Sequence, residues 1–127
     1  MAGFSERDQA GYSPQRLLGH NSGRAGRMYA IVFDFDTGML EQLYPNQHWR
    51  NAYTDVRTYL TARGFEWKQG STYFGDPATV DAVRCVTTVQ KLAAKYPWFT
   101  PSVRDIRMLR IEENNDLMTA LNVQDDD

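Results

Sequence analysis

Met28-Tyr29-Ala30-Ile31-Val32-Phe33-Asp34-Phe35-Asp36 is an apolar, β-prone run that closes on two carboxylates. Its near-continuous hydrophobicity is the pattern of a central strand covered on both faces, and its end delivers Asp34 to a surface. Asp36 is placed to cap a helix opening at Thr37. Beyond it, Met39, Leu40, Leu43 and Tyr44 make a short helical piece. Trp49, Ala52, Tyr53, Val56 and Leu60 then recur at helical spacing, with Pro45-Asn46 before them and Gly64 in the usual terminating position.

Two short strand-like runs, 65–68 and 72–74, flank Gln69-Gly70-Ser71, the composition of a hairpin turn. Asp76-Pro77 predicts a second helix capped by the carboxylate, with an apolar stripe of Val80, Val83, Val86, Leu92 and Tyr96 and a stop at Pro97. A last strand is expected over 103–111, and 117–123 adds a short terminal element, a candidate exchanged strand between two copies.

The resulting order, β-α-β-β-α-β, is the split unit of the ferredoxin-like α+β fold. Right-handed crossovers give its antiparallel sheet the order 4-1-3-2. In that sheet the end of strand one lies beside the starts of strands three and four, so Asp34, Ser71 and Asp105 share one edge.

With 127 residues, 42% hydrophobic and 13% aromatic, the chain suits one folded domain. The core domain is placed at 28–123. Residues 1–27, rich in Gly, Ser, Arg, Gln and Asn without sustained period, read as a disordered or weakly ordered arm, and 124–127 as a frayed acidic tail. Met28 at the opening of the first strand reads as the start of a domain with an upstream extension. Nothing resembles a secretory leader or a membrane span, and the single cysteine, Cys85, has no internal partner, so the expectation is a cytoplasmic protein with no membrane contact. The formal charge of −2 excludes a globally basic nucleic-acid footprint, which leaves RNA a local patch such as Arg104, Arg107 and Arg110.

Two acids and a hydroxyl at a sheet edge suit phosphodiester chemistry, in which a carboxylate acts as base or metal ligand and a hydroxyl donates to phosphate oxygen. Singly, each has a plainer role: Asp34 as a strand-terminating cap, Asp105 as an ion-pair partner of Arg104 or Arg107, Ser71 as a turn residue. Trp67, Tyr73, Trp98 and Phe99 either stack on unpaired bases or pack in the core. Strand alternation places Arg104 and Arg110 on one face and Arg107 on the other. His20 and His48 have no Ser or Cys nucleophile beside them, Cys85 reads as a packed thiol, and no phosphate loop or paired Cys and His ligand spacing is present.

The matched positions resemble those of virulence-associated protein D, the VapD family of small bacterial proteins. They are Met28-Tyr29-Ala30 leading to Phe33-Asp34, Ala52-Tyr53 and Asp55, Gly64-Phe65, Gln69-Gly70-Ser71 and Tyr73, Trp98, Val103-Arg104-Asp105-Ile106-Arg107, and Ile111-Glu112. The resemblance implies a ferredoxin-like fold related to small CRISPR-associated nucleases, a homodimer, and an endoribonuclease, often within a toxin-antitoxin pair. Carried over by position, it makes Asp34 the principal catalytic acid with Ser71 and Asp105 as companions. Lysines that family members often carry after strand one are absent here, where the chain reads Asp36-Thr37-Gly38-Met39-Leu40-Glu41-Gln42.

The expected protein is thus a dimeric endoribonuclease, with Arg104, Arg107 and Tyr73 as RNA contacts and an antitoxin protein as a possible partner. Magnesium is a possible cofactor, held by Asp34 if used. The rival expectations are a non-catalytic dimer that binds RNA or a partner protein, and a small-molecule regulatory module.

Overall fold

The computed structural model describes residues 27–122; the expected arm lies outside the described residues except for Arg27, and the acidic tail lies wholly outside them. The elements are β1 (Met28–Phe35), α1 (Thr37–Leu43), α2 (Asn51–Thr61), β2 (Phe65–Gln69), β3 (Thr72–Gly75), α3 (Ala82–Lys95), α4 (Phe99–Ser102) and β4 (Val103–Ile111), followed by a 3₁₀ turn at Thr119–Leu121. The four strands form one antiparallel sheet in the order β2-β3-β1-β4. Read from its other edge this is 4-1-3-2, the ferredoxin-like order expected from the sequence.

Side chains alternate along β1, and the alternation decides what each face does. Ile31, Phe33 and Phe35 are buried in the core, while Asp34 is exposed and Val32 only half-buried. The expectation of cover on both faces is therefore corrected: the strand is central, and its second face opens to solvent at the Asp34 end. On the covered face, the Phe33 ring lies parallel to Tyr73 at 6.2 Å between centroids and meets Phe35 and Phe99 edge-on. These are the favoured aromatic geometries, and they join β1, β3 and α4 into one core with Val56, Leu60 and Leu92 of the helices.

Local chemistry explains most boundaries. The Asp36 carboxylate accepts the Met39 amide at 3.1 Å, which caps α1 as expected. Gly64, at φ +95°, ends the α2 region in a left-handed conformation, and Gly70, at φ +51°, turns the β2–β3 hairpin.

The second long helix departs from expectation. Asp76 makes only a local turn, accepting the Ala78 amide through Oδ1 at 2.9 Å, and α3 opens five residues later behind Asp81, which accepts the Arg84 amide at 2.8 Å. The later start changes the buried face to Cys85, Thr88 and Leu92, leaving Val83 70% and Val86 47% exposed. Two members of the expected apolar stripe therefore face outward. The terminal element is a single 3₁₀ turn within the described residues rather than a strand.

Candidate active site

Asp34 and Asp105 are register partners on the neighbouring strands β1 and β4, so their side chains leave the sheet on the same face. Facing like charges destabilise a strand pair, and here each carboxylate has a guanidinium beside it. Arg104 Nη1 lies 3.7 Å from Asp34 Oδ2, and Arg107 Nε lies 3.1 Å from Asp105 Oδ2. The Asp105 carboxylate raises the pKa of the Arg107 guanidinium through this hydrogen bond and its charge. The result is an exposed cluster of two acids and two arginines at one end of the sheet.

The position of Arg104 overturns the expectation from simple alternation. The register shifts between Asp34 and Phe35, where Phe35 pairs with Val103 and Asp34 with Asp105, so Arg104 is the additional residue on β4. Such a bulge bends the strand and re-aims a side chain. It gives Arg104 access to Asp34, from which strict alternation would have separated it.

Ser71 is brought to the same end of the sheet. Its carbonyl accepts the Phe33 amide at 3.1 Å, which stands Ser71 across from Phe33, one residue short of Asp34. Its hydroxyl makes no hydrogen bond to Asp34 or Asp105 among the described residues. The backbone proximity expected from the topology is present, and a direct Ser71–Asp34 contact is not.

Tyr73 is a correction. It is 1% exposed and packed against Phe33 in the core, so its ring offers no face to a base. Trp98 and Phe99 are likewise buried. Trp67 is partly exposed, but Arg57 covers one face of its ring at 3.7 Å from the centroid. At this end of the sheet the exposed groups available to a polyanion are the arginines of the acidic cluster.

No family model matches the chain. Over 94 residues it is 54% identical to a protein of Riemerella anatipestifer named endoribonuclease VapD 2, covering 74% of this chain and 99% of that one. An endoribonuclease VapD homolog of Helicobacter pylori is 50% identical over 96 residues, 76% of this chain and 98% of the relative. A third relative, endoribonuclease VapD of Dichelobacter nodosus, is 38% identical over 90 residues, 70% and 91% of the two chains. This chain belongs to the VapD family.

Within this VapD chain, one neighbour of Asp34 escaped sequence reasoning as a site residue. Burial, and then the charge of Asp34, raise the pKa of the Tyr53 phenol, which places Tyr53 in the electrostatic reach of that carboxylate. Its ring meets Phe35 edge-on at 5.2 Å between centroids. Helical period already turned Tyr53 toward the core; its nearness to Asp34 depends on how α2 crosses the sheet, which period does not encode.

No group of three or more His, Cys, Asp or Glu side chains gathers as a metal site among the described residues. The donor set of Asp34 and Asp105, two hard oxygen ligands at facing positions, fits the way magnesium binds through one or two carboxylates while keeping water. Among the described residues no helix is long and apolar enough to cross a membrane.

Proposed function

We propose that this VapD-family protein is an endoribonuclease that cleaves at the Asp34 end of its sheet. The observation that carries the reading is the facing pair Asp34 and Asp105, each beside an arginine that the fold exposes. The names of its relatives point the same way.

A phosphodiester arriving here meets two guanidiniums, which match phosphate oxygens with paired N–H donors. Asp34 accepts the proton of the attacking oxygen, a new oxygen–phosphorus bond forms as the bond from phosphorus to the 5′ oxygen breaks, and the leaving 5′ oxygen takes a proton from solvent water. Attack by the ribose 2′-hydroxyl makes a 2′,3′-cyclic phosphate end; attack by water does not. Asp105 orients Arg107 for the phosphate, and Ser71, across from Phe33, stands at the same edge through its backbone. Magnesium, where required, supplies charge neutralisation and a more acidic water, and Asp34 with Asp105 would hold it.

The working unit is a homodimer in the cytoplasm, and its cognate regulator is an antitoxin protein. Support for self-association is the exposed apolar surface of Met108 and Leu109 on the edge strand β4, with Leu117, Met118 and Leu121 just beyond. The test is cleavage of labelled single-stranded RNA by the wild type and Asp34→Ala, each with EDTA or magnesium. Fragments from the wild type alone support the reading. Equal cleavage by both, or RNA shifted in a gel but never shortened, would replace it with a non-catalytic RNA-binding module.

A further inference from the structure

A concave site lies beyond the opposite end of β1 from Asp34. A cleft of about 480 Å³ opens between the end of α2, the loop before α3 and the flank of α3. Arg63, Thr79, Asp81, Arg84, Thr88 and Lys91 contribute to its wall. Arg84 and Lys91, seven residues apart, are exposed along one stripe of α3, with the buried Thr88 between them.

The cleft is positive and built of donors. Three cations meet one carboxylate, Asp81, whose Oδ1 is already engaged with the Arg84 amide. The ion pairs among the described residues involve none of Arg63, Arg84 and Lys91. Arg63 is held in place: its guanidinium covers the Tyr59 ring at 3.5 Å, and Nη1 donates to the Tyr59 carbonyl at 2.9 Å, leaving other N–H groups for a ligand. A concave wall with three cations against one carboxylate carries an excess of positive charge, which concentrates anions. No aromatic side chain lines the cleft, so it offers nothing on which a base would stack. It suits phosphates read without sequence.

Thr79 lies against Gly64, at the end of the sheet where Phe65 pairs with Gly75 and β1 begins. Asp34 is four residues along β1 from Ala30, the partner of Phe74, a run of about 13 Å at 3.3 Å per residue, and it leaves the sheet on the face opposite the one the helices cover, so an RNA strand joining the two sites passes round the sheet. We propose that the Arg63, Arg84 and Lys91 cleft binds the phosphodiester backbone of the substrate RNA several nucleotides from the scissile bond. This rests on the endoribonuclease reading for its substrate, but the cleft itself adds affinity and no chemistry.

The test compares the wild type with Arg84→Gln/Lys91→Gln, two exposed positions, with a thermal melt of each preparation as the control for folding. Binding of a long single-stranded RNA is measured across salt concentrations, together with cleavage of that RNA and of a short oligonucleotide. The double variant should lower the slope of log affinity against log salt by about 1.4, two phosphates at about 0.7 each for single strands. Its KM should rise several-fold for the long RNA and hold for the short one. An unchanged slope with wild-type cleavage intact overturns the cleft and leaves the endoribonuclease. A lowered slope with no cleavage by the wild type supports the cleft as an RNA site and overturns the endoribonuclease instead. A free mononucleotide that competes with RNA on the wild type, but not on the double variant, would assign the cleft to a soluble phosphate ligand and overturn the RNA assignment.

Discussion

Asp34→Asn separates chemistry from folding because the structure sets very different scales for the two. At 3.7 Å, the Asp34–Arg104 pair is worth about 1 kcal/mol by Coulomb's law in bulk water. Both side chains are 63% exposed, and exposed pairs of this kind contribute about 0–1 kcal/mol after screening and side-chain entropy. The same substitution removes one of two facing carboxylates, which offsets part of that loss. For a domain of this size 1 kcal/mol corresponds to a midpoint shift of roughly 4–8 °C, so Asp34→Asn should melt within a few degrees of the wild type. Removing a positioned general base costs roughly 10²–10⁴-fold in rate. The assay is the initial rate of cleavage of labelled RNA under saturating conditions, run beside a thermal melt of the same preparation. A variant retaining more than about a tenth of the wild-type rate would refute the role of Asp34 as base. A midpoint lowered by more than about 8 °C would refute the energetic reasoning, because the rate loss would then trace to a damaged fold.

Gly75→Ala would bring a methyl group 2.7 Å from Val80 Cγ1 and 3.2 Å from the Tyr29 carbonyl, so it should destabilise by about 1–3 kcal/mol, with partial recovery when Val80→Ala is added. Denaturant titrations of the single and double variants check this. Cys85 is 1% exposed, and burial with the nearby Asp81 charge pushes its thiol up to about 11. It should resist a thiol-specific reagent at neutral pH and react fully after denaturation. The Tyr44 phenol donates to Asp55 at 2.6 Å and is pushed up to about 12 from 10.0 by burial, then by that hydrogen bond and charge. The folded state favours the protonated phenol, so its stabilisation is complete below pH 10 and is lost as pH rises toward 12. Tyr44→Phe should flatten that part of a plot of melting midpoint against pH.

The features legible in the sequence are those with a local cause. β1 is an unbroken apolar run, Asp36 precedes a helix it can cap, and Gly70 sits in a hairpin turn that needs a positive φ. Once those elements were ordered, topology alone brought Asp34 and Asp105 together. The start of α3 was harder, because Asp76 and Asp81 both carry a capping side chain and Pro77 favours the first. The chain instead makes a separate turn at Asp76, with Val80 packed under Gly75, and the helix opens after it. Moving the start to Ala82 turned Val83 and Val86 outward, which a stripe counted from Val80 could not foresee. The aim of Arg104 was not legible because a bulge is a property of two strands in register, while alternation treats one strand by itself. Tyr73 carried no mark separating a base-stacking ring from a core ring; the choice was made by Phe33 on the next strand.

The pairing of β1 with β4 has a consequence for the order in which this protein is made. Among the described residues the first strand to leave the ribosome is central, and the partner on one of its flanks is the last strand, reached only after four helices and the hairpin. Contacts between such distant segments close late, since a long loop must be ordered before they form. Asp34 and Asp105 lie on those two strands, so the acidic cluster cannot assemble on a partly synthesised chain. If the cluster is the cleaving centre proposed above, a centre divided in this way would stay silent while its own messenger is still being read beside it, and would become active only when the domain is whole.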